Sequence, residues 1–214
     1  HTFEYLSKVK ELNVKNFKTS NVEDFNSMFL ECNSVKELDV SGFDTSKATN
    51  MKKMFTNCNS LSSLDVSKFN TEKVIDMGNM FQGVRTIKEL DVSNFDTSHV
   101  TDMSYMFSNL DNVKKLDVSK FDTSNVEDFS GMFQIMRSLS SLDVSNFDTR
   151  KATDMSYMFQ SVMFITELDV SKFDTKNVED MYSMFSGCSY LSSLDLSKFV
   201  TNKVKDMSYM FSSC

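Results

Sequence analysis

Residues 168–185 read LDVSKFDTKNVEDMYSMF. Taken alone, the stretch looks like a place where chemistry happens, with acidic residues, aromatics, a Thr and two Met crowded together. Taken with the rest of the chain, it is one copy of a repeat. Val9, Val35, Leu61, Ile87, Val113, Leu139, Ile165 and Leu191 open eight copies, each 26 residues from the next and with no insertion. The last copy is two residues short, and residues 1–8 match the tail of a preceding copy, with Phe3 in a Phe position and Leu6 in a Cys position. Numbering the repeat as columns 1 to 26, the pattern is L-x-x-L-D-V-S-x-F-D-T-x-x-V-x-D-M-x-x-M-F-x-x-C-x-x.

The repeat accounts for an unusual composition. Column 9 is Phe in every copy, from Phe17 to Phe199, and column 21 is Phe in every copy, from Phe29 to Phe211. Together they hold 16 of the 20 Phe; columns 17 and 20 hold 14 of the 16 Met. A unit this short cannot bury its own apolar face and must stack on its neighbours, which makes a solenoid. Stacked Phe rings with Met filling gaps around them are then the core rather than a sticky face.

Periodicity changes within the unit. L-x-x-L-x-V ends in alternating apolar residues such as Leu38 and Val40, the pattern of a short strand with one buried side. F-D-T-S is turn chemistry. V-x-D-M-x-x-M-F spaces apolar residues at i, i+3, i+6 and i+7, which predicts one or two helical turns, with the Asp of column 16 as a turn or helix-start cap. The expected fold is α/β: a leucine-rich-repeat solenoid of eight coils over residues 9–214, with a short parallel strand on the concave face and a short helical turn opposite.

That geometry coincides with a family resemblance. L-x-x-L-D-V-S-x-F resembles the strand half of a leucine-rich repeat, with Phe where Asn usually sits. Val178 to Ser189 is similar to the back half of BspA-like repeats, in the variant abundant in Mycoplasma surface lipoproteins and other bacterial surface proteins. The resemblance covers essentially the whole chain. It implies a cell-surface or secreted protein, working as an adhesion module for a protein or glycan on a host or neighbouring cell. The sequence itself contains no signal peptide, lipid-attachment Cys or wall anchor.

Composition narrows the function classes. A net charge of −7 speaks against a nucleic-acid surface, which needs a basic stripe. No apolar run reaches the 18 residues of a membrane span. Only two His occur, His1 and His99, and no Ser/His/Asp set, phosphate loop or carboxylate pair breaks the periodicity. Enzymes commonly break local regularity where they work, so no catalytic residue, metal or cofactor is expected. Gly and Pro, which would punctuate a linker, number 5 and 0.

Several columns are candidates for binding. Column 5 is Asn13 and then Asp39, Asp65, Asp91, Asp117, Asp143, Asp169 and Asp195. Like charges on coils about 5 Å apart repel by about 1 kcal/mol per pair in water. Hydrogen bonds to the Ser of column 7 or to backbone amides, a cation ladder, or direct partner contact would each offset this. Tyr105, Tyr157 and Tyr209 in column 19 are either contact residues or partial packing over the Met column. The Thr of column 11 is expected to satisfy the turn backbone of its coil. The four Cys share column 24 with Val, Leu and Met, which marks a buried apolar slot. Cys32 and Cys58, and Cys188 and Cys214, are in adjacent coils at a spacing compatible with disulfides, but free buried thiols fit the column better. A structural alternative to adhesion is a scaffold whose copies stack end to end.

Overall fold

The structure, a computed structural model, describes residues 2–214; His1, part of the expected leading tail, lies outside them. Each 26-residue unit makes one coil and lies against the next in parallel register. Column 16 runs through the stack as a chain of parallel bridges from Asp24 to Asn50 and on to Asp206. Coil-to-coil hydrogen bonds concentrate on the wall beside it. Phe25 N donates to Asn50 O, Ser27 N to Lys52 O, Phe29 N to Met54 O and Glu31 N to Thr56 O, at 2.8–2.9 Å. The same four bonds, from columns 17, 19, 21 and 23, recur at every junction through to Gly187 N and Ser212 O.

This wall is where the expectation of a helical turn fails. No described residue is helical; the V-x-D-M-x-x-M-F segment is a flight of successive turns. Within one coil Met28 N bonds Phe25 O, Leu30 N bonds Ser27 O and Cys32 N bonds Phe29 O. All the residues with left-handed φ fall in two columns: column 19 from Ser27 to Tyr209, and column 23 from Tyr5 to Ser213. A helix needs right-handed φ at every residue. A left-handed residue at every fourth position reverses the path instead, so alternate N–H groups aim at the next coil. The apolar residues at columns 17, 20, 21 and 24 still point inward, which is why the sequence imitates a helix face.

The other side of the coil is less bonded than its strand-like pattern suggests. Only two isolated bridges join column 3, Glu11 to Glu37 and Lys115 to Ser141. Leu38, Val40 and their counterparts are nevertheless buried, so packing rather than a continuous ladder holds that side.

The core is columnar. The column 21 rings from Phe3 through Phe29, Phe55 and Phe81 to Phe211 form one stack, with centroids 5.5–6.0 Å apart and planes within 4–15°. The column 9 ring of each coil leans on the column 21 ring of the coil before, as Phe43 does on Phe29 at 6.2 Å. Offset aromatic pairs contribute about 0.5–1.5 kcal/mol each beyond area burial. Met51, Met54 and their equivalents from Met77 to Met184 are fully buried around the rings.

Thr of column 11 has a larger role than closing its own coil. Thr71 Oγ1 donates to Asp96 O at 2.9 Å and accepts from Asp96 N at 2.8 Å, in the next coil. Thr19, Thr45, Thr123, Thr149 and Thr175 make the same reciprocal pair. Each is a buried clip between coils. The four Cys are free, and the thiols of Cys32, Cys58, Cys188 and Cys214 donate to carbonyls of the preceding coil at 3.1–3.2 Å. Burial pushes Cys32 up to about 11 and Cys188 to about 12.

Thr149→Val keeps the shape of the clip but leaves both backbone groups of Asp174 unpaired. Urea unfolding is expected to show a loss of about 1–3 kcal/mol. Thr166→Val, at an exposed position of a variable column, is expected to stay within about 0.5 kcal/mol of the parent. Intact mass after alkylation is expected to show a single adduct, at exposed Cys214, on the native chain. Four adducts are expected once it is unfolded without reductant.

Candidate interaction surface

Three columns place an Asp or Asn where its carboxyl or amide oxygen accepts the N–H two residues on. In column 5, Asp39 Oδ1 accepts from Ser41 N at 3.0 Å and from Ser41 Oγ at 2.6 Å; Asp65 with Ser67 and Asp117 with Ser119 repeat this. In column 10, Asp96 accepts from Ser98 N at 2.9 Å. In column 16, Asp102 accepts from Ser104 N at 2.8 Å. These Asx turns bend the chain at three corners of each coil but the first and last, where column 10 is Lys18 and Val200.

Asp39, Asp65, Asp91, Asp117, Asp143, Asp169 and Asp195 are all exposed. Hydroxyl and amide donors of the column 7 Ser hold their carboxyls below the usual range, helped by lysines such as Lys68 and Lys172. One oxygen of each is thus committed to its own turn. Among the described residues no group of three or more His, Cys, Asp or Glu is arranged to hold a metal ion.

The tyrosines belong to a different wall. Tyr105, Tyr157 and Tyr209 occupy left-handed column 19, with φ of 54°, 59° and 59°. Tyr105 is half-buried because its ring lies over Gly131 of the next coil, where a Cβ would come within 2.3 Å of it. Tyr157 packs on Tyr182 at 5.1 Å, and Tyr182 meets Tyr209 edge-on at 5.6 Å. The carboxylates that act on Tyr105 are Asp154, Asp128 and Asp180 of column 16. The structure therefore joins the tyrosines to the column 16 ladder and not to column 5.

The column 16 ladder is unevenly neutralised. Lys52 Nζ bridges Asp76 at 3.0 Å and Asp102 at 2.8 Å. It reaches two coils ahead because column 18 of the intervening coil is Gly78, whose missing Cβ would sit 3.0 Å from the Asp102 carboxylate. Burial raises the Asp102 carboxyl, but Lys52 and Ser104 outweigh it and its net position is below the usual range. One coil further, Asp128 has no lysine. Burial, with Asp102 and Asp154 on either side, raises it despite donation from Ser130.

A third surface runs along columns 25 and 26 and was not singled out from sequence. Asn59 Nδ2 donates to Asn33 Oδ1 at 3.0 Å. Arg85 and Arg137 flank Asp111 at 4.0 and 3.4 Å. Phe164 and Tyr190 then stack on each other in the open, at 5.5 Å. In the two coils before that of Phe164, Lys88, Glu89, Asn112, Lys114, Lys115 and Ser138 line a shallow cleft of about 470 Å³. The signal available in the sequence was the change in column 26 from Ser, Thr and Asn to Phe and Tyr.

The family described as Mycoplasma protein of unknown function, DUF285, matches residues 1–115, 79–169 and 143–214, which together span the chain. The chain belongs to that family. Its repeats are thus those of a Mycoplasma-type repeat protein. Neither a curated protein nor a solved structure matches. Among the described residues of this family member no helix is long and apolar enough to cross a membrane.

Asp128→Asn keeps the acceptor, as Asn50 does for Lys52 N at 3.0 Å in the same column, and removes the charge. A carboxyl raised in the folded state destabilises the fold while ionised and stops doing so as pH falls through its folded value. The variant is therefore expected to exceed the parent by up to about 1 kcal/mol at pH 7. The advantage should shrink to nothing below the carboxylate range, as read from urea midpoints at pH 7 and pH 3.

Proposed function

We propose that the chain is a noncatalytic interaction module of a cell-surface or secreted protein, built as a BspA-like leucine-rich-repeat solenoid. Its work is adhesion to a protein or glycan on a host or neighbouring cell. The observation that carries this reading is how the side chains divide. The columns that repeat, Phe, Met, Thr and the three Asx positions, are committed to packing or to coil-to-coil and turn hydrogen bonds. The columns that vary are exposed, as at Lys10, Lys36, Lys88, Lys114 and Thr166 in column 2. A surface that changes from coil to coil over a fixed frame suits recognition of an extended partner.

End-to-end stacking of copies is a second reading: the amide wall that joins each coil to the next, as Phe25 N does to Asn50 O at 2.9 Å, would join coils of neighbouring copies by the same bonds.

Fluorescently tagged chain is expected to bind cultured host cells saturably, with unlabelled chain competing. A linear, non-competable signal would sink the adhesion reading. Light scattering across a concentration series separates the two readings: a constant monomer mass counts against stacking, and a mass that climbs without limit supports it.

A further inference from the structure

Column 26 is where the periodicity yields. In four coils its residue ties the coil to the one before. Ser34 Oγ donates to Ser7 O and Ser60 Oγ to Asn33 O, both at 2.6 Å; Thr86 Oγ1 donates to Asn59 O at 3.2 Å, and Asn112 Nδ2 to Arg85 O at 2.8 Å. The same register sets Phe164 over the Arg137 backbone and Tyr190 over that of Met163. Phe164 has no donor to give, and the hydroxyl of Tyr190 is at the far end of its ring. Both rings are in water instead, 49% and 60% exposed, stacked at 5.5 Å with planes 27° apart. The fold gains nothing from exchanging a coil-to-coil hydrogen bond for exposed aromatic area.

The coils that lead up to the rings give the platform a chemistry. Lys88, Lys114 and Lys115, with Glu89, line a cleft shared by Asn112 and Ser138 of column 26, in the two coils before that of Phe164. Arg137, its side chain 62% exposed, pairs with Asp111 through Nε at 3.4 Å. Against Glu89, Asp111 and Glu167, the cations Arg85, Lys88, Lys114, Lys115 and Arg137 leave this edge cationic on a chain of net charge −7.

We propose that this edge binds an acidic glycan. One sugar ring lays its C–H face on the Phe164–Tyr190 platform, where the electron-rich ring faces meet the slightly positive hydrogens. Carboxylates of neighbouring sugars pair with Lys114, Lys115 and Arg137. An acidic peptide fits less well. The acidic side chains of a peptide offer the rings no flat C–H face to stack on. The backbone groups nearby are already joined coil to coil, Ser140 N to Lys114 O and Ser192 N to Thr166 O, each at 3.2 Å, so no strand can be added. This inference rests on the interaction-module reading and names the ligand class for one of its surfaces.

The test is calorimetric titration with a hyaluronan octasaccharide, which carries one carboxylate on every second sugar. Neutral maltooctaose and poly-L-glutamate serve as comparators. Hyaluronan is expected to bind saturably and more weakly as salt rises, with maltooctaose and poly-L-glutamate at least about tenfold weaker. F164S/Y190S places in column 26 the residue that other coils use there, so its melting temperature is expected to match or exceed that of the parent. Its affinity for hyaluronan is expected to fall at least about tenfold, and that of K114Q/K115Q likewise. Undetectable binding of hyaluronan, preference for poly-L-glutamate, or parental affinity in F164S/Y190S would each overturn the proposal. If the parent binds cells and F164S/Y190S binds them equally well, the module reading stands and this site does not. If the parent binds no cell, it is the module reading that fails.

Discussion

Everything in this stack depends on the four amide bonds that each coil sends to the next from columns 17, 19, 21 and 23. They form because columns 19 and 23 hold left-handed φ in every coil. Without those two reversals the segment would keep its N–H groups for itself, as a helix does, and the coils would meet only through side chains. Left-handed backbone costs an L-residue about 1–2 kcal/mol, and this chain accepts it mostly without glycine: Gly83, Gly131 and Gly187 are the exceptions. Ile135, β-branched at φ 56°, is the least comfortable of the rest. Two reversals serve four buried hydrogen bonds per coil, and the exchange recurs at every junction.

Around that wall, the other ladders divide the remaining tasks. The column 21 Phe stack fills the centre and sets the distance between coils. The Thr clips tie the opposite corner and leave no buried amide unpaired there. The Asx turns shape corners within a coil, and at Asp76 and Asp102 their carboxylates also take Lys52 from an earlier coil. Because these tasks are assigned by column, the exposed columns are released from structural duty, and substitutions there such as Phe164 and Tyr190 are tolerated by the frame.

The sequence revealed the period, the register, the core columns and the free thiols' apolar slot, because burial leaves a direct mark on residue type. Phe29, Met54, Leu64 and Cys58 are buried as their columns required. The turn staircase was hidden. Its apolar spacing is the same as that of a helix face, and most left-handed positions carry Ser, Lys, Tyr, Glu or Ile, none of which announces φ. The available hints were three of the five Gly and the residues Asn57, Asn79 and Asn109, which favour left-handed φ, in columns 19 and 23. The Asp residues of column 5 were legible as a ladder, but their commitment to Ser41 and its equivalents was one option among several. That Tyr105 sits by Asp128 and Asp154, and Tyr157 by Asp180, depends on the staircase and could not be read without it.

The direction of the wall's amides has an electrical consequence. In a β-sheet successive peptide units along a strand point in opposite directions, and their dipoles nearly cancel. Here the N–H groups of columns 17, 19, 21 and 23 all point forward and their carbonyl partners all point back. Each peptide unit carries about 3.5 D, so these contributions add along the stack axis much as they do along a helix. The stack is a polar object: a cut across it exposes four forward donors of this wall on one side and their acceptors on the other, against the fewer bonds that run back, such as Thr49 N to Glu23 O. A coil can be added in only one orientation, and anions are drawn to one end and cations to the other.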